Sequence, residues 1–390
     1  MKVFIIARGY PTDKYKMDGI FEFDQAKALA QAGVEVVYIA TSLRSIRKWR
    51  KWGYQSFNED GVHVEIRDIP CVSVRLPRNI LNIIEKRLLI KLYEKVIIKY
   101  GKPDIIHSHF INKGHITAEV FKNTDIPLVH TEHFSRMNQD VVSEYYKDLG
   151  ERTYSYMDKV IAVSKPFADR LKEKFGVEVE VIPNIVDTSI FKYAFQDNSN
   201  SDFNFISVGG LIKGKGMDLL IYSFYNSFKD NKKVKLYIYG DGPERKALAS
   251  LISKLNLTNQ VFLKGLVDRR IIGKKMQECQ CFVLASKSET FGVAYIEAMA
   301  AGLPVIATSC GGPEDFVNES NGILIEVDNH EELTKALLYM YKNSRQYNRE
   351  VISKETIKKY SSQNIAKLII YKYQNLLKGK TEVNKLSQKD

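Results

Sequence analysis

Short apolar runs, each followed by a turn and then a helical period, recur along the whole chain and set its fold class. In the first half they are Val3–Ala7, Val34–Ala40, Val62–Ile66, Ile105–Ser108, Leu128–Thr131, Lys159–Val163 and Val179–Ile182. In the second they are Phe205–Val208, Leu236–Tyr239, Val261–Leu263, Cys281–Leu284, Val305–Ala307 and Gly322–Ile325. A strand that is apolar on both faces must be covered on both sides. Strand–helix alternation does this by placing a parallel sheet between two layers of helices. The expected class is therefore α/β, with two consecutive Rossmann-like, doubly wound domains facing a central cleft.

The rhythm breaks once. Residues 192–204 (KYAFQDNSNSDFN) are polar and rich in Asn and Ser, which reads as a linker between domains at 1–191 and 205–363. A last amphipathic period, 364–377, carries Ile365, Leu368, Ile369, Tyr373 and Leu376, and a polar tail, 378–390, is expected to fray.

Composition narrows the classes further. The 390 residues are 44% hydrophobic and 27% charged, as in a soluble globular enzyme, and no apolar run reaches the roughly 18 residues of a spanning helix. The apolar N-terminus stops at Gly9-Tyr10-Pro11, too soon for a signal peptide. Cys71, Cys279, Cys281 and Cys310 show no CxxC spacing and read as free thiols in a reducing cytoplasm. The net charge of +12 is uneven: 14 Lys/Arg face 6 Asp/Glu over 44–102, and 13 face 4 from 335 onward. Such windows suit an anionic partner, whether a phosphate-bearing substrate, a nucleic acid or an anionic membrane.

Ligands of open α/β sheets bind beyond the carboxyl ends of the strands, so those loops are where chemistry is expected. Val208-Gly209-Gly210-Leu211, followed by Lys213 to Gly216 and a helix near Asp218, has the makings of a diphosphate cradle: exposed N–H groups, a helix start and the Lys215 ammonium. Gly240 in Gly240-Asp241-Gly242-Pro243 and the loop Thr308–Glu314 lie at the same sheet edge. Glu289 and Glu297 are eight apart around Thr290-Phe291-Gly292; two such carboxylates can hold two ends of a polyhydroxylated ligand. His107, His109, His130 and His133 end two neighbouring strands. They could bind a metal, or hydrogen-bond sugar hydroxyls and phosphate. Arg44–Trp52 (RSIRKWRKW) has five cations and both tryptophans; Arg47, Lys48, Trp49, Arg50, Lys51 and Trp52 form a candidate membrane patch, with a solvated helix as the plain alternative.

Taken together, SVGGLIKGKGMDLLI, YIYGDGP, ASKSETFGVAYIEAMAAGLPVIATSCGGPE and VIPNIVD resemble the GT4 family of retaining glycosyltransferases with the GT-B fold. GIFEFDQAKAL, DIIHSHF and PLVHTEHFS resemble its members that build bacterial cell-surface polysaccharides. The resemblance implies that Glu297 binds the ribose of a nucleotide sugar, that Glu289 contacts the hexose, and that Lys215 grips the diphosphate. Backbone help would come from Phe291 and Gly292, with Gly209, Gly210 and Gly240 lining the donor loops. Gly19 would approach the donor phosphates, His133 would sit at the reaction centre and His109 on the acceptor side. The helix at 364–377 would cross back onto the first domain. No bound metal or cofactor is implied. The donor would be a UDP-sugar, or else a GDP-sugar, carrying a hexose or N-acetylhexosamine. The acceptor would be a glycan or lipid-linked molecule, with no nucleic-acid partner, for an enzyme in the cytoplasm or peripheral on the inner face of the plasma membrane.

The chain departs from the family at two positions: Gly210 stands where Arg is common, and Ile185 where the usual PNGVD has glycine. An epimerase or glucan-synthase-like enzyme, or a non-catalytic nucleotide-sugar-binding partner, could use the same scaffold.

Overall fold

The computed structural model describes residues 1–47, 49–71, 77–195 and 202–386, with side chains to residue 380. Lys48 of the basic patch, residues 196–201 of the expected linker and residues 387–390 of the tail lie outside the described residues. The chain divides into two compact units. The first is Met1–Val163, Ala168–Ile185 and Ser362–Asp390; the second is Ser164–Phe167 and Val186–Ser361.

The first unit is built on an eight-stranded sheet. In chain order its elements are β1 (Lys2–Ala7), α1 (Ile20–Gln31), β2 (Glu35–Ser45), β3 (Gly53–Glu59), β4 (Val62–Cys71), α2 (Arg78–Tyr100), β5 (Ile105–His109), α3 (Ile111–Phe121), β6 (Leu128–Glu132), α4 (Glu144–Tyr154), β7 (Lys159–Ala162), α5 (Lys165–Phe175) and β8 (Val179–Val181). The strand order is β3-β4-β2-β1-β5-β6-β7-β8. All neighbours are parallel except β3, which runs antiparallel to β4. The alternation of β1 explains why both faces are apolar. Val3, Ile5 and Ala7 pack with Phe23, Ala26 and Leu29 of α1. Phe4 and Ile6 pack with Leu89, Leu92 and Val96 of α2 and Ile116 and Phe121 of α3.

The second unit carries a six-stranded parallel sheet. Its elements are β9 (Phe203–Val208), α6 (Met217–Phe228), β10 (Val234–Tyr239), α7 (Arg245–Lys254), β11 (Val261–Gly265), α8 (Arg269–Glu278), β12 (Cys281–Leu284), α9 (Val293–Ala300), β13 (Val305–Thr308), β14 (Gly322–Ile325), α10 (His330–Asn343) and α11 (Arg349–Tyr360). The strand order is β11-β10-β9-β12-β13-β14. Because β9 lies between β10 and β12, the loops after these three strands emerge side by side at one edge of the sheet.

The last helix, α12 (Ser362–Leu386), belongs to the first unit, where Ile365, Ala366, Ile369 and Tyr373 join the core around β1 and α1. It runs past the expected stop at residue 377. Lys378, Lys380 and Lys385 are adequate helix formers, and Lys380 pairs with Asp158 at 3.0 Å.

A strand absent from the sequence expectation is β3. Its residues are polar because it is an exposed edge, and its hairpin turns on Asp60 and Gly61, both at positive φ. Among the described residues, no helix is long and apolar enough to cross a membrane.

Candidate functional site

In the second unit, the turn after β9 begins at Gly209. Gly240, after β10, has φ +138°, and a Cβ there would stand 1.9 Å from the Gly209 carbonyl oxygen. Only glycine lets these two loops lie so close. Gly216 (φ +61°) caps α6 and presses in the same way on the Ala285 carbonyl after β12. Between these contacts, residues Lys213–Lys215 form a single 3-10 turn.

That turn delivers Lys215 to Glu289. The ammonium lies 2.5 Å from Glu289 Oε1, and the same oxygen accepts from Ser286 Oγ at 2.7 Å. The loop bearing Glu289 is stitched to the next one. Glu289 N–H donates to the Cys310 carbonyl, and Gly312 N–H donates to the Glu289 carbonyl. Gly312 has no room for a Cβ against Phe291. Phe291 is itself buried against Phe316 and Tyr360. Gly292 (φ +92°) caps α9, whose first N–H groups have no helical acceptor. Glu297, about one turn into α9, takes a different partner from Glu289: its carboxylate receives Arg269 of α8 at 2.6 Å. Gly210 is exposed, with open space where a Cβ would project. A cavity of about 430 Å³ beside Tyr237, Tyr239 and α8 contains none of these residues.

The first unit holds a second cluster. Gly19 (φ +75°) caps α1, and a Cβ there would meet the Gly9 carbonyl at 2.2 Å. Tyr38 Oη ties both loops down, donating to the carbonyls of Gly9 (2.7 Å) and Gly19 (3.1 Å). Three imidazoles stack beyond β5 and β6. The His107–His109 centroids are 4.5 Å apart, the His109–His133 centroids 5.3 Å, each pair at 19°. Phe110 stacks on His133 at 4.8 Å and carries the Arg8 guanidinium 3.1 Å above its ring. Phe110 sits at φ +62°, where a bulky residue costs about 1–3 kcal/mol, so the surroundings hold it there. Burial pushes His107, His109 and His133 well below the usual imidazole range; neighbouring imidazoles reinforce this in all three, and Arg8 does so for the last two. All three are neutral at pH 7.

Glu132 is a residue that the sequence reading passed over. Its buried carboxylate accepts the backbone N–H groups of His133 (3.0 Å), Phe134 (2.9 Å) and Ile111 (3.3 Å), and the Tyr154 hydroxyl at 2.8 Å. It shapes the loop that presents His133. His130 leans on Glu132 at 3.3 Å and on Ser108 at 3.0 Å, apart from the stack. Among the described residues, no three His, Cys, Asp or Glu side chains gather as a metal-binding group.

Two expectations are corrected. The basic patch is not a helix, and Arg50 is not on the surface. Only 7% exposed, Arg50 pairs with Asp18 at 3.1 Å and Asp68 at 3.6 Å. Arg44 grips the same Asp18 at 2.7 Å, so these cations brace the loop before Gly19. Arg47, Lys51 and Trp49 remain exposed, with Trp52 edge-on to Trp49. At the PNIVD turn, where Ile185 replaces the family's glycine, the backbone of Ile185 lies outside the left-handed region, and its side chain is buried in the first unit's core.

Two α/β units, one sheet parallel throughout and the other parallel but for its edge strand β3, each with glycine-bearing loops beyond its strands, define a two-domain protein of the doubly wound α/β class. The comparisons narrow the class. The model described as glycosyl transferases group 1 matches residues 190–359, and that described as glycosyltransferase family 4 matches residues 23–190. An uncharacterized glycosyltransferase of Methanocaldococcus jannaschii is 30% identical over 65% of this chain and 71% of its own length. The alpha-monoglucosyldiacylglycerol synthase of Acholeplasma laidlawii is 26% identical over 69% of this chain and 74% of its own. The chain belongs to the family 4, group 1 glycosyltransferases and is a glycosyltransferase.

Solved structures show the same GT-B fold. Sucrose-phosphate synthase of Thermosynechococcus elongatus superposes with a TM-score of 0.81 at 19% identity, covering 97% of this chain and 99% of that one. Anabaena HepE, solved in complex with UDP, gives 0.72 at 19% identity, covering 96% and 99%.

Proposed function

We propose that the protein is a retaining glycosyltransferase that moves a hexose or N-acetylhexosamine from a nucleotide sugar, a UDP-sugar in the first instance, to a glycan or lipid-linked acceptor in surface-polysaccharide synthesis. The observation that carries this reading is the Lys215–Glu289 ion pair, set among glycine loops at the starts of α6 and α9. A similar chain named for glucosylating a diacylglycerol, and a similar fold solved with UDP, support the acceptor and donor classes.

The roles follow from charge. When a donor binds, the Lys215 ammonium exchanges the Glu289 carboxylate for the diphosphate, and Glu289 is released to accept hydroxyls of the sugar. Glu297, held in one orientation by Arg269, accepts the ribose hydroxyls. Backbone N–H groups near Gly209, Gly210, Gly240, Phe291 and Gly292 line the donor loops. The anomeric C–O bond then breaks, its electron pair leaving with the nucleoside diphosphate. Lys215 and the two helix starts stabilise that charge as it develops. The acceptor hydroxyl oxygen forms the new bond on the face that the diphosphate left, and its proton passes to the departing diphosphate. His133 orients the sugar and His109 borders the acceptor.

A panel of UDP-, GDP- and ADP-sugars tests the donor. One UDP-sugar is expected to raise the melting temperature, and nucleoside diphosphate is expected to appear only when acceptor is added. Glu297→Ala should lower kcat/KM roughly 100- to 1,000-fold, the worth of two charge-assisted hydrogen bonds. Full activity in that variant would remove the ribose assignment.

A further inference from the structure

Gln25 lies on α1, 8% exposed, with its amide nitrogen 3.2 Å from His107 Nδ1 and 3.4 Å from His109 Nε2. We propose that Gln25 is a positioning residue whose amide fixes one tautomer across His107, His109 and His133, so that His133 carries its proton on Nδ1. The inference rests on the reading of His133 as a reaction-centre residue, and it names what holds that residue in register.

The logic follows from which atoms can donate. An amide nitrogen only donates, so both imidazole nitrogens that it faces must accept. A neutral His109 that accepts at Nε2 carries its proton on Nδ1. That nitrogen is 3.0 Å from His133 Nε2 and donates to it. His133 Nε2 is thus an acceptor, and its proton is on Nδ1. Asn184, in the turn after β8, is the side chain hydrogen-bonded to His133. The polarity is the same at the other end. With that tautomer, the Tyr373 hydroxyl of α12, which meets His107 Nδ1, can donate to it, and Thr131 Oγ1, 2.7 Å from His107 Nε2, can accept. The Gln25 amide on α1 thus sets the direction, and the hydroxyls of Thr131 on β6 and Tyr373 on α12, able to donate or accept, follow it.

The requirement of neutrality is met on separate grounds, since burial disfavours the imidazolium in all three rings. Around the stack, Arg8 with Glu22 at 2.9 Å, the His130–Glu132 pair and the Tyr373 hydroxyl against His107 are charged or titratable neighbours. The consequence for catalysis is specific. With Nε2 accepting and the proton on Nδ1, His133 serves as a fixed dipole and not as a proton carrier. The pH profile of kcat/KM should then show no imidazole limb between about pH 5 and 8.

The test uses the full chain with 15N-labelled histidine and two-bond 1H–15N correlation at pH 7, each ring assigned by single replacement. The expected pattern is Nε2–H for His107 and Nδ1–H for His109 and His133. The opposite tautomers, or an imidazolium at pH 7, would overturn the proposal. Gln25→Glu replaces the donor with an acceptor-only carboxylate. It should flip His109 and His133 to Nε2–H, lower kcat about ten-fold with donor KM within about two-fold, and introduce an acid limb. Gln25→Met, of similar shape but unable to hydrogen-bond, controls for folding through its melting temperature. Unchanged tautomers in Gln25→Glu would sink the assignment. Flipped tautomers with an unchanged kcat would uphold the relay and retire His133 from the reaction centre, so the two readings fail separately.

Discussion

The Arg269–Glu297 and Lys215–Glu289 pairs show how one chain can store binding groups before a ligand arrives. Each carboxylate is about one-tenth exposed and each cation about one-fifth to one-quarter exposed, so neither charge is left alone in a poorly solvated place. Gly210, in the loop between β9 and the Lys213–Lys215 turn, has nothing within 4 Å of where a Cβ would project, and its φ does not demand glycine. A longer side chain therefore fits without moving the loop. Gly210→Arg is expected to fold as well as the parent and to tighten donor binding five- to ten-fold, about 1 kcal/mol for a half-exposed cation near a diphosphate. Isothermal titration with the free nucleoside diphosphate reads this directly, and an unchanged or weaker Kd would show that the turn does not face the phosphates.

At the scale of elements, the strands were legible wherever both faces are buried, because a continuous apolar run is what such burial demands; β1, β5 and β12 are of this kind. The edge strand β3 was not, since an exposed strand is selected for polarity, and only the Asp60-Gly61 turn marked it. Candidate site residues could be picked out where they follow strands, as with Lys215 and Glu289. Their contact was not readable, because it depends on β9 and β12 being neighbours in the sheet. Gln25 and Glu132 carried no local signal, and Tyr373 only that of a packed helix face, not of a partner for His107: Gln25 sits 82 residues before His107, and Tyr373 sits 266 after it. Arg50 was misread because a run of charges looks the same whether its partners are water or a buried Asp18. The histidines of β5 also predict how this unit responds to acid. His107 and His109 are fully buried, and their pKa values are depressed well below 6.5 by that burial and by the neighbouring imidazoles. Below about pH 6.5 the unfolded chain binds protons that the folded unit refuses. The stability they confer is thus complete above about pH 6.5 and is lost as the pH falls toward the folded values. The slope is up to about 1.4 kcal/mol per pH unit for each ring. Urea midpoints at pH 7.5, 6 and 5 should fall in step, with His107→Gln showing a shallower fall. A midpoint indifferent to pH over this range would contradict the neutral stack.

For the molecule as a whole, the excess of positive charge needs a surface that is free to use it. Arg50 and Arg44 are spent on Asp18, which removes them from any membrane patch. Helix α2 offers more. Ile80, Ile83 and Ile98 are 40%, 51% and 86% exposed, and Arg87, Lys91 and Lys95 are exposed along the same stretch. At 3.6 residues per turn, positions 80, 83, 87, 91, 95 and 98 follow one stripe, so three isoleucines and three cations share a single outward face, with Glu94 as the acidic residue among them. That combination suits an anionic bilayer surface: each cation contributes about 1 kcal/mol, and the isoleucines add apolar burial at the headgroup level. It would also place the enzyme beside a lipid-linked acceptor. Sedimentation with vesicles of phosphatidylglycerol and phosphatidylcholine should show binding that falls as salt rises above about 0.15 M, where the screening length is about 8 Å. Arg87→Gln with Lys91→Gln should weaken partitioning roughly thirty-fold, the equivalent of about 2 kcal/mol. Ile80→Ser with Ile83→Ser should weaken it without changing the salt dependence. Equal sedimentation of all three proteins, or equal binding to pure phosphatidylcholine, would show that this face meets something other than an anionic membrane.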